Sequence, residues 1–295
     1  MRNVLCFGEV LWDAFGEEKK AGGAPMNVAR HLVQQQVDVL FASRVGTDEP
    51  GIGLSAFLKD NGLYSSLIQH DNNLPTCEVT VQLDEDHQAT YIIPEPVSWD
   101  NIQPEAALMN NAKNAAAIVF GSLACRHEVT YYTLSALLAE PGPLKIFDVN
   151  LRPPHYHLIT IEKLAAKADM IKMNEEEANL LIPGDHLLED KIREFQKKFH
   201  CQTICITRGA RGAIIWHNGE FYEHGGYKVR VQDTVGAGDA FLATLIAGLL
   251  NNVQVAKVLK KACAVGAFVA SQRGANPLYD QEIINMLIRQ GDLTD

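Results

Sequence analysis

The sequence predicts an α/β fold: a β-sheet that is parallel over much of its extent, helices on its faces, and a small β accessory able to cover a site. Two observations lead there. Short β-branched or apolar runs recur between segments whose apolar residues fall at three-to-four spacing, and one stretch instead alternates with period two around a polar turn. In chain order the strand-like runs are VLCFGEV from Val4, VDVLFAS from Val37, AAIVFGS from Ala116, KIFDV from Lys145, DMIKM from Asp169 and TICIT from Thr203. Helical stretches such as MNVARHLVQQQ, VTYYTLSALLAE and KIREFQKKF lie between them. The exception is TCEVTVQLDEDHQATYII, which reads as an antiparallel hairpin closed by DEDH. Ser65 to Pro94, with part of the first strand region, is therefore expected to form the accessory. Pro and Gly punctuate the elements, and no long Ser/Gly linker, low-complexity tract or repeat appears. One domain over residues 1–295 with an insertion fits this pattern.

Composition narrows the function classes. Of 295 residues 47% are apolar and 21% charged, which suits a chain with a full hydrophobic core and excludes a disordered one. The net charge of -10, from 36 acidic and 26 basic residues, argues against a nucleic-acid surface and for a small-molecule partner. Cys6, Cys77, Cys125, Cys201, Cys205 and Cys263 form no CxxC pair, as expected of structural thiols in a reducing compartment. Met1 to Trp12 lacks the apolar core of a signal peptide, and the longest apolar runs are too short to span a bilayer. A cytoplasmic protein without a membrane partner is the expectation.

The strongest local motif is DTVGAGDAF, from Asp233 to Phe241, running into the apolar helix AFLATLIAGLL. Gly236, Ala237 and Gly238 leave backbone N–H groups open at a helix start, where free donors and the helix dipole attract an anion. Asp239, in the first turn, has two readings. The commoner role of such an Asp is to stabilise the dipole. The alternative is a general base beside the site of phosphoryl transfer. Competing phosphate motifs fail: no Gly-Lys pair exists for a P-loop, and Phe241 stands where a dinucleotide fingerprint needs Gly or Ala. H-E-x-x-H and G-x-S-x-G are absent as well. Near the N-terminus GEVLWD ends in Asp13, and AGGAPMNVA follows from Ala21. Gly22 and Gly23 allow close backbone approach, Pro25 suits a first helical turn, and Asn27 offers an amide there. An acid and an amide beside a Gly pair suit a polyol, although a plain structural loop reads equally well.

In this order, the two segments resemble the signature regions of the PfkB (ribokinase-like) sugar kinase family, and the resemblance runs essentially the whole length. GEVLWD, FGSL at Phe120, FDVNLRPPHY at Phe147 and the NEEE run at Asn174 are most similar to its fructokinase branch. The resemblance implies a three-layer α/β/α fold with a central, mainly parallel sheet and a β-sheet lid over the sugar. It implies transfer of the ATP γ-phosphoryl group to a sugar hydroxyl with Mg²⁺. Asp239 then corresponds to the catalytic base and Gly236, Ala237 and Gly238 to the anion hole. Asp13, Gly22, Gly23 and Asn27 correspond to sugar-binding positions, with Asn150 and Arg152 lining the same pocket. Asn174 and Glu177 match an N-x-x-E motif that places Mg²⁺ and phosphates through water. Thr207, Gly209 and Gly212 match an element beside the nucleotide, with Arg208 facing a phosphate. VASQRGANP, from Val269, resembles the adenine loop that includes Asn276. Asp233, Val235, Val269, Gln272 and Gly274 are the implied oxygen donors to a monovalent cation, K⁺. The lid departs from the family pattern, since YIIPEPVSWD holds no Arg after its aromatic strand.

Other conspicuous residues have plainer roles. His155 and His157 read as a solvent-exposed loop, Trp12 and Trp99 as walls of the sugar site, and Trp216 as sheet core. The expected activity is phosphorylation of D-fructose at its 6-hydroxyl by a homodimer whose lids pair. Ribose, 2-keto-3-deoxygluconate and nucleosides are the alternative acceptors. A noncatalytic sugar- or nucleotide-responsive binding protein and a Rossmann oxidoreductase are the rival classes.

Overall fold

Every side chain of Val4–Phe7 is buried, because this strand lies inside a sheet covered on both faces. The computed structural model describes residues 3–15, 18–83, 89–184 and 186–291. Among these the strands are β1 (Val4–Phe7), β2 (Leu11–Phe15), β3 (Glu18–Gly22), β4 (Val39–Gly46), β5 (Ile68–Asp71), β6 (Glu78–Leu83), β7 (Ala89–Ile92), β8 (Ala117–Gly121), β9 (Leu144–Asp148), β10 (Met170–Asn174), β11 (Thr203–Thr207), β12 (Ala213–His217) and β13 (Glu220–His224). The helices are α1 (Ala24–Gln34), α2 (Glu49–Asp60), α3 (Ala106–Asn114), α4 (Glu128–Leu137), α5 (Leu158–Ala165), α6 (Glu175–Leu181), α7 (Leu188–Phe199), α8 (Ala237–Leu250), α9 (Val255–Ala270) and α10 (Gln281–Gly291).

The large sheet runs β13-β12-β11-β10-β9-β8-β1-β4-β5 and is parallel except at β12 and β13. Alternation along β1 divides the core. Val4 and Cys6 face a cluster containing α1, α2, α8, α9 and α10, and Leu5 and Phe7 face one containing α3, α4, α5 and α7. The result is the expected three-layer α/β/α arrangement. All six cysteines are buried and unbridged, as their spacing suggested.

The second sheet has the order β3-β2-β6-β7. β6 and β7 pair antiparallel as the hairpin reading required, while the DEDH turn lies outside the described residues. The expected boundary at Ser65 is corrected: β5 pairs in parallel with β4 at the edge of the large sheet. Its place is taken by β2, which pairs in parallel with β6 and antiparallel with β3. Ile68 points into the core of the large sheet, so burial assigns this segment there.

Both tryptophans assigned to the sugar wall are corrected. Trp99 is fully buried, with the Arg126 guanidinium stacked 4.1 Å over its ring. Arg126 also pairs with buried Asp100 at 2.7 Å and donates to Pro94 O at 2.6 Å, directly after the small sheet. Trp12 turns towards α2, donating its Nε1–H to Pro50 O at 3.0 Å and meeting the Phe57 ring edge-on. His155 is likewise not a free loop residue, since its Nδ1 lies 3.3 Å from both Arg126 Nη1 and Glu95 Oε2. Trp216 packs against the core, as expected.

Trp99→Ala removes the largest fully buried side chain and the platform under Arg126. Chemical denaturation should show a loss of about 3–5 kcal/mol, and a loss below about 1 kcal/mol would contradict this packing role.

Candidate active site at the sheet edge

Strand order reverses around β1: the chain moves outward to β4 and β5 on one side and to β8 through β13 on the other. Such a switch opens a crevice beyond the carboxyl ends of the strands. Four chain segments meet there.

The first is the turn from β3 into α1. Gly23 is the N-cap, with φ 116°, and a Cβ there would come within 2.5 Å of Glu9 O. Only glycine lets this turn press on the segment after β1. Asp13 enters from β2, so the small sheet carries one acid into the crevice, its Oδ2 packed against Gly22. The second segment is the start of α8. Gly236 takes the left-handed N-cap conformation at φ 79°, and a side chain there would overlap Ala275 O. Apolar residues on every side bury this helix, which fixes the direction of its N-terminus.

Asn27 and Asp239 join these segments. The Asn27 amide donates to Asp239 Oδ2 at 2.8 Å, and Asn27 Oδ1 accepts from Asn276 Nδ2 at 2.6 Å. Burial pushes the Asp239 carboxyl up to about 6; Asp148 adds to the rise, while Lys172, the Asn27 bond and Arg152 oppose it. Burial also raises Asp13, against the pull of Arg152. Arg152, exposed, thus reaches the same acids from the loop after β9, where Asn150 sits at φ 39°.

Three groups that the sequence reading left without a role complete the site. Lys172, on β10, places Nζ 2.9 Å from Asp148 Oδ1, both side chains almost fully buried. Burial disfavours the ammonium, but Asp148, Asp239 and Glu177 outweigh that and hold its pKa above the usual value. The same Nζ lies beneath the α8 start, 3.3 Å from where a Gly238 Cβ would be. Glu9 is buried with Oε2 unpartnered, and desolvation pushes it up to about 7. A charged residue inside the otherwise apolar DMIKM run was the available signal for Lys172, and Asp148 at the end of KIFDV was its counterpart. Glu9 sits inside GEVLWD with nothing local to mark it.

The third and fourth segments lie on the other side of the α8 start. Asn174 and Thr207 are register partners at the ends of β10 and β11. Asn174 caps α6 by accepting from Glu177 N, and Glu177 answers by accepting from Asn174 N and Leu151 N, all at 2.8 Å. Glu177 therefore anchors the Asn150–Arg152 loop, and each oxygen keeps a lone pair for a metal-bound water. Among the described residues no cluster of three or more His, Cys, Asp or Glu forms a ready cage. Such sparse protein donors fit Mg²⁺, which keeps several waters and relies on substrate phosphates. Asp233 ties two loops together, accepting from Val235 N at 3.0 Å and Gly274 N at 3.1 Å, while Gln272 N donates to Val269 O. Gly209 and Gly212 shape the turn after β11. Arg208 pairs with Glu223 at 2.7 Å and leans on His224 O, which ties its guanidinium to β13.

A model of pfkB family carbohydrate kinases matches residues 2–282. Probable fructokinase-7 of Arabidopsis thaliana is 32% identical over 308 residues, spanning 93% of this chain and 88% of that protein. Fructokinase of Xylella fastidiosa, solved with bound ATP, shares the fold with a TM-score of 0.85 at 22% identity, over 98% and 99% of the two chains. Fructokinase of Vibrio cholerae O395, solved with fructose, ADP and calcium ion, gives 0.83 at 25% identity, over 98% and 99%.

Lys172→Met strands the buried Asp148 carboxylate. Denaturation should report a loss of about 3–5 kcal/mol, with most of it regained on also replacing Asp148 by Leu. An unchanged midpoint for the single variant would show that the pair is not a buried ion pair.

Proposed function

Because this chain belongs to the pfkB family of carbohydrate kinases, we propose that it transfers the γ-phosphoryl group of ATP to a free ketohexose, with the 6-hydroxyl of D-fructose as acceptor. The observation that carries this reading is the buried bond from Asn27 to Asp239, which joins a polyol-type loop to an acid in the first turn of an anion-binding helix. The fructokinase relatives, one of them solved with fructose and ADP, support the choice of acceptor.

In this mechanism Asp13, Asn27 and Arg152, with the Gly22–Gly23 backbone and Asn150, hold the sugar so that one hydroxyl faces Asp239. Asp239 takes the hydroxyl proton as the phosphoryl group transfers, and backbone N–H groups at the α8 start stabilise the negative charge there. Of these, the Ala237 N–H already donates to Thr234 O at 3.3 Å, which leaves Gly236 and Gly238 as the candidate donors. Lys172 adds positive charge beneath them. Asn174, Thr207, Gly209, Gly212 and Asn276 border the nucleotide. Mg²⁺, held at Glu177 through water, supplies charge neutralisation on the phosphates when bound. The Asp233–Val235 and Val269–Gly274 loops, stitched through Asp233, suit a monovalent cation such as K⁺. Closure of the small sheet would exclude water from the transfer. A homodimer in the cytoplasm completes the reading; the unbridged cysteines favour a reducing compartment.

Coupled ADP detection across fructose, ribose, 2-keto-3-deoxygluconate and nucleosides tests the acceptor: fructose should give the highest kcat/KM. Binding of a sugar with no ADP formed from any of them would favour a noncatalytic role. Asp239→Asn should lower kcat by at least roughly 10²-fold while calorimetry still shows ATP binding. Since the base acts deprotonated and burial raises its pKa, kcat/KM should fall as pH drops through about 6, where an ordinary carboxylate would hold to about 4. An acid limb near 4 would contradict the buried base.

A further inference from the structure

We propose that Asn276 is a positioning residue for the transfer, acting through Asn27 to fix which end of that amide faces Asp239; this rests on Asp239 being the base. The chemistry of the three groups is directional. An ionised carboxylate only accepts, so Asn27 must turn its NH₂ towards Asp239 and its oxygen away. That oxygen meets the Asn276 NH₂ at 2.6 Å, so a donor stands where the correct end of the amide needs one. The flipped amide would set oxygen against the carboxylate and NH₂ against NH₂.

Asn276 is itself held in place. His31 Nε2 lies 2.9 Å from Ala275 O, and Tyr279 OH lies 2.9 Å from His31 Nδ1. His31 is buried, which pushes its pKa down to about 4, so the ring is neutral near pH 7. A carbonyl can only accept, so Nε2 carries the proton and Nδ1 accepts from the tyrosine. Gln34 adds bonds to Pro277 O at 3.1 Å and from Tyr279 N at 2.9 Å. Residues 27, 31 and 34 form one face of α1, which grips residues 275–279 along its length. The same loop closes on Gly236 through Ala275 O. The helix that opens with the sugar loop is thereby locked to the loop beside the α8 start, and Asn276 is the contact that reaches the base.

The groups facing Asp239 are Asn27 from α1, Asp148 from β9, Arg152 from the loop after β9, Lys172 from β10 and Glu9 after β1. Asn27 is the one whose hydrogen bond to Asp239 depends on Asn276. Donation to the charged form lowers the pKa of Asp239, so loss of the correct amide end raises it and moves the acid limb of the rate profile to higher pH.

The test compares Asn276→Leu, Asn276→Asp and Asn276→Gln with the intact protein, using fructose and ATP kinetics over pH and thermal melts for folding. In parallel, protein labelled with ¹³C at Asp Cγ, with Asp239 assigned by its Asn variant, reports the carboxyl titration directly. Asn276→Leu should lower kcat about tenfold to a hundredfold, the range of a hydrogen bond to a charged group. Its acid limb should shift upward, whatever change in the KM for ATP accompanies it. Asn276→Asp should shift the limb further, because it presents an acceptor to Asn27 Oδ1, and Asn276→Gln should restore part of both. If the leucine variant does not fold, the Asp and Gln variants decide by the same shift. A raised KM for ATP with kcat and acid limb unchanged would make Asn276 a nucleotide contact alone and overturn the proposal. Should the intact protein turn over none of the sugars, the kinase reading fails by itself. The ¹³C titration still judges the positioning: an Asp239 curve identical in all variants overturns it.

Discussion

A hydrogen bond between two buried side chains, Asn27 and Asp239, ties together residues 212 positions apart in the chain. Neither group can stay buried without a partner at acceptable cost, and each is presented by a helix whose entry turn admits only glycine at the cap. Around that bond the rest of the site falls into place. The Gly22–Gly23 turn brings the small sheet and Asp13 to one side, and the α8 start brings its open backbone amides to the other. The 275–279 loop closes the gap between them. The large sheet supplies the rigid frame, since its reversal at β1 gives the four segments a common edge to meet on.

The electrostatics of this edge run against the molecule as a whole. A chain of net charge -10 that handles nucleotides must make its positive potential locally. It does so with the open end of α8, with Lys172 buried beneath it, and with Arg152 reaching in from an exposed loop. Asp148 keeps Lys172 charged in the interior, so the ion pair is a means of storing a cation under the helix as well as a packing contact. The acids pay a different penalty. Burial lifts Asp239 and Glu9 towards neutrality, and for Asp239 this accords with the proposed role of a base.

Much of this was legible along the chain. Apolar runs alternating with helical spacing announce the layered sheet, and DTVGAGDAF and AGGAPMNVA mark two sides of the site, because helix starts and glycine turns are local devices. The errors share a cause. The stretch from Ser65 reads as part of the small sheet, but the destination of β5 depends on which edge it pairs with. Trp99 and Trp12 read as ligand walls, yet one stacks on Arg126 and the other donates to Pro50 O in the first turn of α2. The ion partner of Arg208, Glu223, is likewise set by the pairing of β12 with β13 and has no local signal. Which face a side chain turns to is decided by partners far away in sequence.

The sequence by itself determined the fold class, the family, and the helix start that carries Asp239, since periodicity, turn chemistry and motif order are properties of short stretches. Only the tertiary structure decided that Lys172, Asp148 and Glu9 gather around Asp239, that β2 and not β5 builds the small sheet, and that Asn276 stands behind Asn27. The physical reason is that a buried charge or amide takes its role from the partner that satisfies it, and these partners come from separate strands, helices and loops.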